Sequence, residues 1–116
     1  MHNYKQLEVW KKGIHLASAI YKLTKEFPKE EKFGIISQMR RCSVSISSNI
    51  AEGSGRNSDN EFRQFLNISV GSYFELETQL ILSHKLEYLA KSEFEKTSSD
   101  LSEIQKRIYT LNQKFS

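Results

Sequence analysis

Three histidines, one cysteine and a run of serines are the side chains that could ligate a metal or attack a carbonyl carbon, and their spacing supports neither. His2, His15 and His84 are scattered, and no His-x-x-x-His pair, Cys-x-x-Cys pair or Glu-x-x-His di-iron element occurs. Cys42 follows Arg40 and Arg41, which can depress a thiol pKa, but its small neighbours favour a buried, inert thiol. Ser43, Ser45, Ser47 and Ser48 lack both a Gly-x-Ser-x-Gly elbow and a nearby histidine to act as base. Gly53-Ser54-Gly55-Arg56 lacks the Gly-Lys-Ser/Thr ending of a phosphate loop and follows a helical pattern, not a strand. No catalytic residue, metal site or cofactor site is expected from these residues.

A polar cluster remains around the second helical segment: Arg40, Arg41, Asn49, Glu52, Arg56 and Arg63. Arg41, Ser45, Asn49, Glu52 and Arg56 are spaced by three and four, which places them along one helix face. Such a stripe is a solvated face, a seam between subunits with Glu52 pairing an arginine across it, or an arginine site for phosphate. The residues expected to contact an anion are Arg40, Arg41, Arg56 and Arg63, with Lys11, Lys12 and Lys22 as weaker candidates. Asn49, Glu52, Gly53 and Gly55 are expected to hold the turn or a subunit seam.

The elements that carry these residues follow from apolar spacing. Leu7, Trp10, Ile14, Ala17, Tyr21 and Thr24 recur at steps of three and four, with Leu16, Ile20, Leu23 and Phe27 as a second stripe. That combined face is wider than a two-stranded coiled coil needs, and suits a bundle. The single proline, Pro28, closes the first helix and is placed to open the second. Ser43-Val44-Ser45-Ile46-Ser47 alternates like a strand, but Met39 and Ile50 keep the longer window in helical register. Gly53 and Gly55 predict a left-handed turn ending that helix. Ser58 and Glu61 read as a capping box for a third helix carrying Phe62, Leu66, Ser69, Tyr73, Leu76 and Leu80, with Phe65, Val70 and Phe74 beside them. A fourth carries Phe94, Leu101, Ile104, Ile108, Leu111 and Phe115. The predicted helices cover roughly 6–27, 29–53, 58–87 and 92–115, one domain over residues 1–116. Short connections make it an all-α, antiparallel up-down-up-down four-helix bundle.

Bulk composition agrees with that reading. The chain has 116 residues, 38% hydrophobic and 27% charged, with 11% aromatic residues, too many for a disordered chain. No apolar run reaches membrane-spanning length, no signal peptide is visible, and a lone cysteine fits a reducing compartment, so the expected location is the cytoplasm without membrane association. The net charge of +3 is unevenly spread: residues 1–29 carry six lysines against Glu8 and Glu26, whereas residues 58–89 carry two bases against five acids. Such asymmetry either steers anionic partners and favours head-to-tail association of copies, or is an unevenly charged solvated surface.

Several strings together resemble one family. They are Leu7-x-Val9-Trp10-Lys11-Lys12, Tyr21-x-x-Thr24-x-x-Phe27-Pro28-x-Glu30, Gln38-x-Arg40-Arg41, Ser45-Ile46-x-x-Asn49-Ile50-Ala51-Glu52-Gly53-x-Gly55-Arg56, Glu61-Phe62-x-x-Phe65-Leu66 and Gly71-Ser72-x-x-Glu75-Leu76-Glu77. This set resembles the 23S rRNA-intervening sequence proteins over Leu7 to Leu89, with the fourth helix alike only in pattern. The resemblance implies an up-down-up-down bundle assembling as a homopentamer and no enzymatic activity. A related branch, the accessory proteins of diversity-generating retroelements, binds nucleic acid and a reverse transcriptase and is more basic than this chain. The expected function is a homo-oligomeric helical scaffold that meets RNA, or an RNA-handling protein, through a basic surface. The alternative is a protein-only adaptor presenting a groove to a helical or disordered partner.

Overall fold

The computed structural model describes residues 2–115. A 3-10 turn, Tyr4–Gln6, leads into α1 (Glu8–Thr24), and a second 3-10 turn, Lys29–Glu31, precedes α2 (Ile35–Ser54). Then come α3 (Asp59–Lys85) and α4 (Lys91–Gln113), and no strand occurs among the described residues. Residues 43–47 are therefore helical, because Met39, Ile46 and Ile50, all fully buried, share one helical face and a strand would split them.

Cross-helix contacts fix the chain direction. Thr24 meets Arg40, and Gly13 packs on Ser47, so the end of α1 lies beside the start of α2. Ser69 reaches Ile46, Ser72 reaches Ser45 and Ser83 reaches Met39, which runs α3 back along α2. Arg63 meets Asn112 while His84 stacks on Phe94, reversing α4 on α3. All four helices feed one core, in which Leu16, Ile20, Met39, Ile46, Ile50, Phe62, Leu66, Leu76, Leu80, Leu101, Ile104 and Ile108 are almost wholly out of water. The bundle measures 43 × 24 × 20 Å.

Three boundaries depart from the expected ones, each for a local reason. The second helix starts at Ile35, not near residue 29, because Gly34 sits at φ −106, ψ −119, outside the helical region. Glu31 is also drawn away to accept a hydrogen bond from the Tyr88 hydroxyl at 2.9 Å. The α1 helix ends at Thr24, three residues short, and the chain tightens through Phe27 N–H to Thr24 C=O before Pro28.

The third departure concerns the glycines at the end of α2. Gly53 lies inside the helix, and Gly55 has φ −85, ψ −3, an ordinary right-handed conformation. The left-handed closure falls on Glu87 instead, at φ 64 after α3. There Tyr88 N–H reaches Ser83 C=O and Glu87 N–H reaches His84 C=O, the paired bonds of a Schellman ending on a residue that is not glycine. Ser58 does cap α3, its Oγ accepting from Glu61 N–H at 3.2 Å, and its hydroxyl lies 3.3 Å from the Glu61 carboxylate.

Candidate interaction site

The four arginines expected to contact an anion occupy three separate places. Arg40, at the α2 end near the first loop, donates from Nε to Thr24 Oγ1 at 2.9 Å and lies 4.8 Å from the centre of the Tyr21 ring. Arg41, one residue on, points into solvent with no polar partner among the described residues. Arg56 sits about 20 Å away by helical rise, paired with Glu52 at 3.1 Å and stacked 4.7 Å from the Phe65 ring centre. Arg63 turns to the opposite side, donating to Asn112 Oδ1 at 2.9 Å and so joining α3 to α4. Only Arg40 and Arg41 are brought together.

Of the remaining stripe residues, Asn49 bonds within α2 and Ser45 ties α2 to α3. Asn49 donates to the Ser45 carbonyl and hydroxyl at 2.8 and 3.0 Å, and Ser72 of α3 donates to the same hydroxyl at 2.8 Å. Gly53 is required by packing: a Cβ there would stand 2.6 Å from Phe65 Cβ and 3.3 Å from the Phe62 carbonyl oxygen. Cys42 is buried, donates to the Ser72 carbonyl, and has its pKa pushed up to about 11 by burial, with the Glu75 charge adding to the shift. The flanking arginines do not activate it. No set of three histidine, cysteine or acidic side chains among the described residues is placed to hold a metal ion.

Sequence spacing did not reveal two features of the surface. The first is a basic, aromatic end of the bundle. Lys32, Arg40 and Arg41 share a shallow groove with Tyr21, Phe33 and Val44, and no acidic side chain lines it. Phe33 is 88% exposed, with the Lys32 ammonium 5.4 Å from its ring centre. Bases beside an exposed ring are the elements from which single-stranded nucleic acid sites are made. Lys11 and Lys12, by contrast, are engaged by Glu8 and Glu103.

The second is apolar surface on two sides. Of the two α1 stripes, Leu16, Ile20 and Phe27 enter the core while Ile14 and Tyr21 are left 47% and 42% exposed. Ile14, together with Trp10, Ala17 and Val44, lines an uncharged groove of about 250 Å³ between α1 and α2. The Ser47 hydroxyl beneath it is buried without a hydrogen-bond partner. On α3 the outward side exposes Ile68, Phe74, Ile81, Leu82 and Leu86. Gly71 sits among them with nothing within 4 Å of where a Cβ would be. A helix-interior glycine costs about 0.5–1 kcal/mol relative to alanine, and no contact within the chain accounts for this one.

No helix is long and apolar enough to cross a membrane among the described residues. Among curated proteins none matches the chain. A solved structure does: a protein of unknown function from the S23 ribosomal protein family of Bacteroides thetaiotaomicron, at TM-score 0.84 and 30% identity, over 90% of this chain and 95% of the other. Neither that relative nor the family carries a catalytic designation. Residues 5–110, spanning all but the end of α4, match the 23S rRNA-intervening sequence proteins, and the chain belongs to that family.

Proposed function

We propose that the chain is a non-enzymatic, cytoplasmic helical scaffold that associates with copies of itself, five in the fully assembled form, and presents a basic surface to RNA. The observation that carries this reading is the outward side of α3, where five large apolar side chains stand in water around an unexplained glycine. These side chains recur along one outward side of α3, and apolar surface gathered on one side of a protein marks an interaction face. The chain's resemblance to a family with pentameric members supplies the subunit number.

The RNA clause rests on the basic end. Lys32 and Arg41 lack acidic partners there, and Phe33 and Tyr21 offer ring faces for bases. Contacts of this type neutralise phosphates and release counterions, so affinity for a single strand falls with salt at a slope of about 0.7 per phosphate contact. Titrating labelled single-stranded RNA at about 50 and 200 mM salt tests it. The expected result is binding at low salt that weakens steeply at high salt and is reduced in Lys32→Ala and Arg41→Ala. Absence of binding at low salt removes the RNA clause and leaves a protein-only adaptor, whose groove would then return a defined protein in a pull-down.

A further inference from the structure

We infer that a polar groove between α2 and α3 binds a small zwitterion, a free α-amino acid in chemical class, whose carboxylate meets Arg41 and whose ammonium meets Glu75. The groove holds about 400 Å³ and is lined by Gln38, Arg41, Cys42 and Ser45 of α2 and by Ser72 and Glu75 of α3. That volume suits a small ligand. Gln38, Arg41 and Ser45 follow one another at steps of three and four along one side of α2, and Ser72 and Glu75 at a step of three along α3. The two rims therefore carry opposite charge. Neither the Arg41 guanidinium nor the Glu75 carboxylate has a hydrogen bond or ion pair among the described residues, and they do not pair with each other.

The floor supplies a further donor. Ser45 Oγ accepts from Asn49 Nδ2 at 3.0 Å and bonds Ser72 Oγ at 2.8 Å. Whichever way the bond between the two hydroxyls runs, it uses one of their two protons, and the other has no acceptor among the described residues. A bare anion would meet Arg41 and that hydroxyl but also Glu75, whose charge is near enough to bear on the Cys42 thiol. A bare amine would meet Glu75 but also Arg41. A ligand with both charges on adjoining groups satisfies both rims at once. The Gln38 amide, donor and acceptor together, is left for the ligand's side chain. This groove and the basic end offered to RNA have only Arg41 in common, and the site does not depend on self-association.

Backbone N–H NMR spectra of the whole chain, recorded as the standard L-amino acids are added singly, read this out. At least one amino acid is expected to shift the signals of Cys42, Ser45 and Ser72 saturably. Its N-acetyl form, which lacks the ammonium, and its carboxamide form, which lacks the carboxylate, are each expected to bind about tenfold more weakly or worse, the loss of one charged hydrogen bond. Arg41→Gln and Glu75→Gln then assign the partners. Both positions are exposed and glutamine suits a helix, so both variants are expected to keep wild-type helicity by circular dichroism. Glu75→Gln is expected to erase the difference between the amino acid and its N-acetyl form, and Arg41→Gln that between the amino acid and its carboxamide. No saturable shift with any amino acid, or shifts centred elsewhere, overturns the inference. So does an N-acetyl form that binds as tightly as the free amino acid, or a Glu75→Gln variant that binds like wild type, for the groove would then hold an anion alone. Should either variant lose helicity, the three ligand forms compared on the wild-type protein decide the matter by themselves.

Discussion

Replacing Gly53 with alanine adds one methyl group where the last turn of α2 meets the first turns of α3. The new Cβ would stand 2.6 Å from Phe65 Cβ, 3.0 Å from Phe62 Cδ1 and 3.3 Å from the Phe62 carbonyl oxygen. Phe65 Cβ is fixed directly to the α3 backbone, and the carbonyl is backbone itself. Relief therefore requires the helices to move apart; turning a side chain does not suffice. Overpacking of this kind costs about 1–3 kcal/mol, and alanine returns about 0.5–1 kcal/mol of helix preference. The net expectation is a loss of roughly 1–2 kcal/mol, or a melting temperature lower by roughly 4–8 °C in a chain of this length. Gly55→Ala is the matched control. Its φ of −85 suits any residue and its nearest neighbour, Glu52 C=O, is 3.6 Å from the added carbon, so its effect stays within about 0.5 kcal/mol. Urea unfolding at matched protein concentration is the assay, because self-association makes apparent stability concentration-dependent. Gly53→Ala equal to wild type, or Gly55→Ala as damaging as Gly53→Ala, refutes the packing explanation.

Three further outcomes are expected. Ser47→Ala removes a buried hydroxyl that has no partner and raises stability by up to about 1 kcal/mol in the same urea assay. Glu87→Gly relieves a left-handed residue at φ 64 and stabilises by about 1 kcal/mol, read as a higher urea midpoint at unchanged slope. Because folding raises the Cys42 pKa from 9.0 to about 11, its contribution is fully present below pH 9 and is lost as pH climbs towards 11. The thiol is therefore expected to resist an aromatic disulfide reagent at pH 8 and to react promptly once urea unfolds the chain, whereas fast reaction of the native protein contradicts its burial.

Most of the fold is written in local spacing. The series Phe62, Leu66, Ser69, Tyr73, Leu76 and Leu80 is buried along its whole length, and the Ser58 cap sits where its hydroxyl and the following glutamate place it. Spacing cannot say which of two adjacent stripes turns inward. On α1 that depends on the crossing of α2 and α4, and it leaves Ile14 and Tyr21 outside. The arginines fail to cluster for a similar reason. Arg40 is drawn to Thr24, sixteen residues earlier, and Arg63 to Asn112, forty-nine residues later, partners that no local window contains. The two glycines at the end of α2 were legible as special but not for the right cause. Gly53 answers to Phe62 and Phe65 across the helix pair, while the left-handed turn expected of a glycine is taken by Glu87.

Self-association through exposed apolar surface is the central claim, and mass in solution tests it most directly. Light scattering across a dilution series of the wild-type protein is expected to give a discrete multiple of 13.5 kDa that persists at low micromolar concentration. A single species of 13.5 kDa at every concentration would contradict the account.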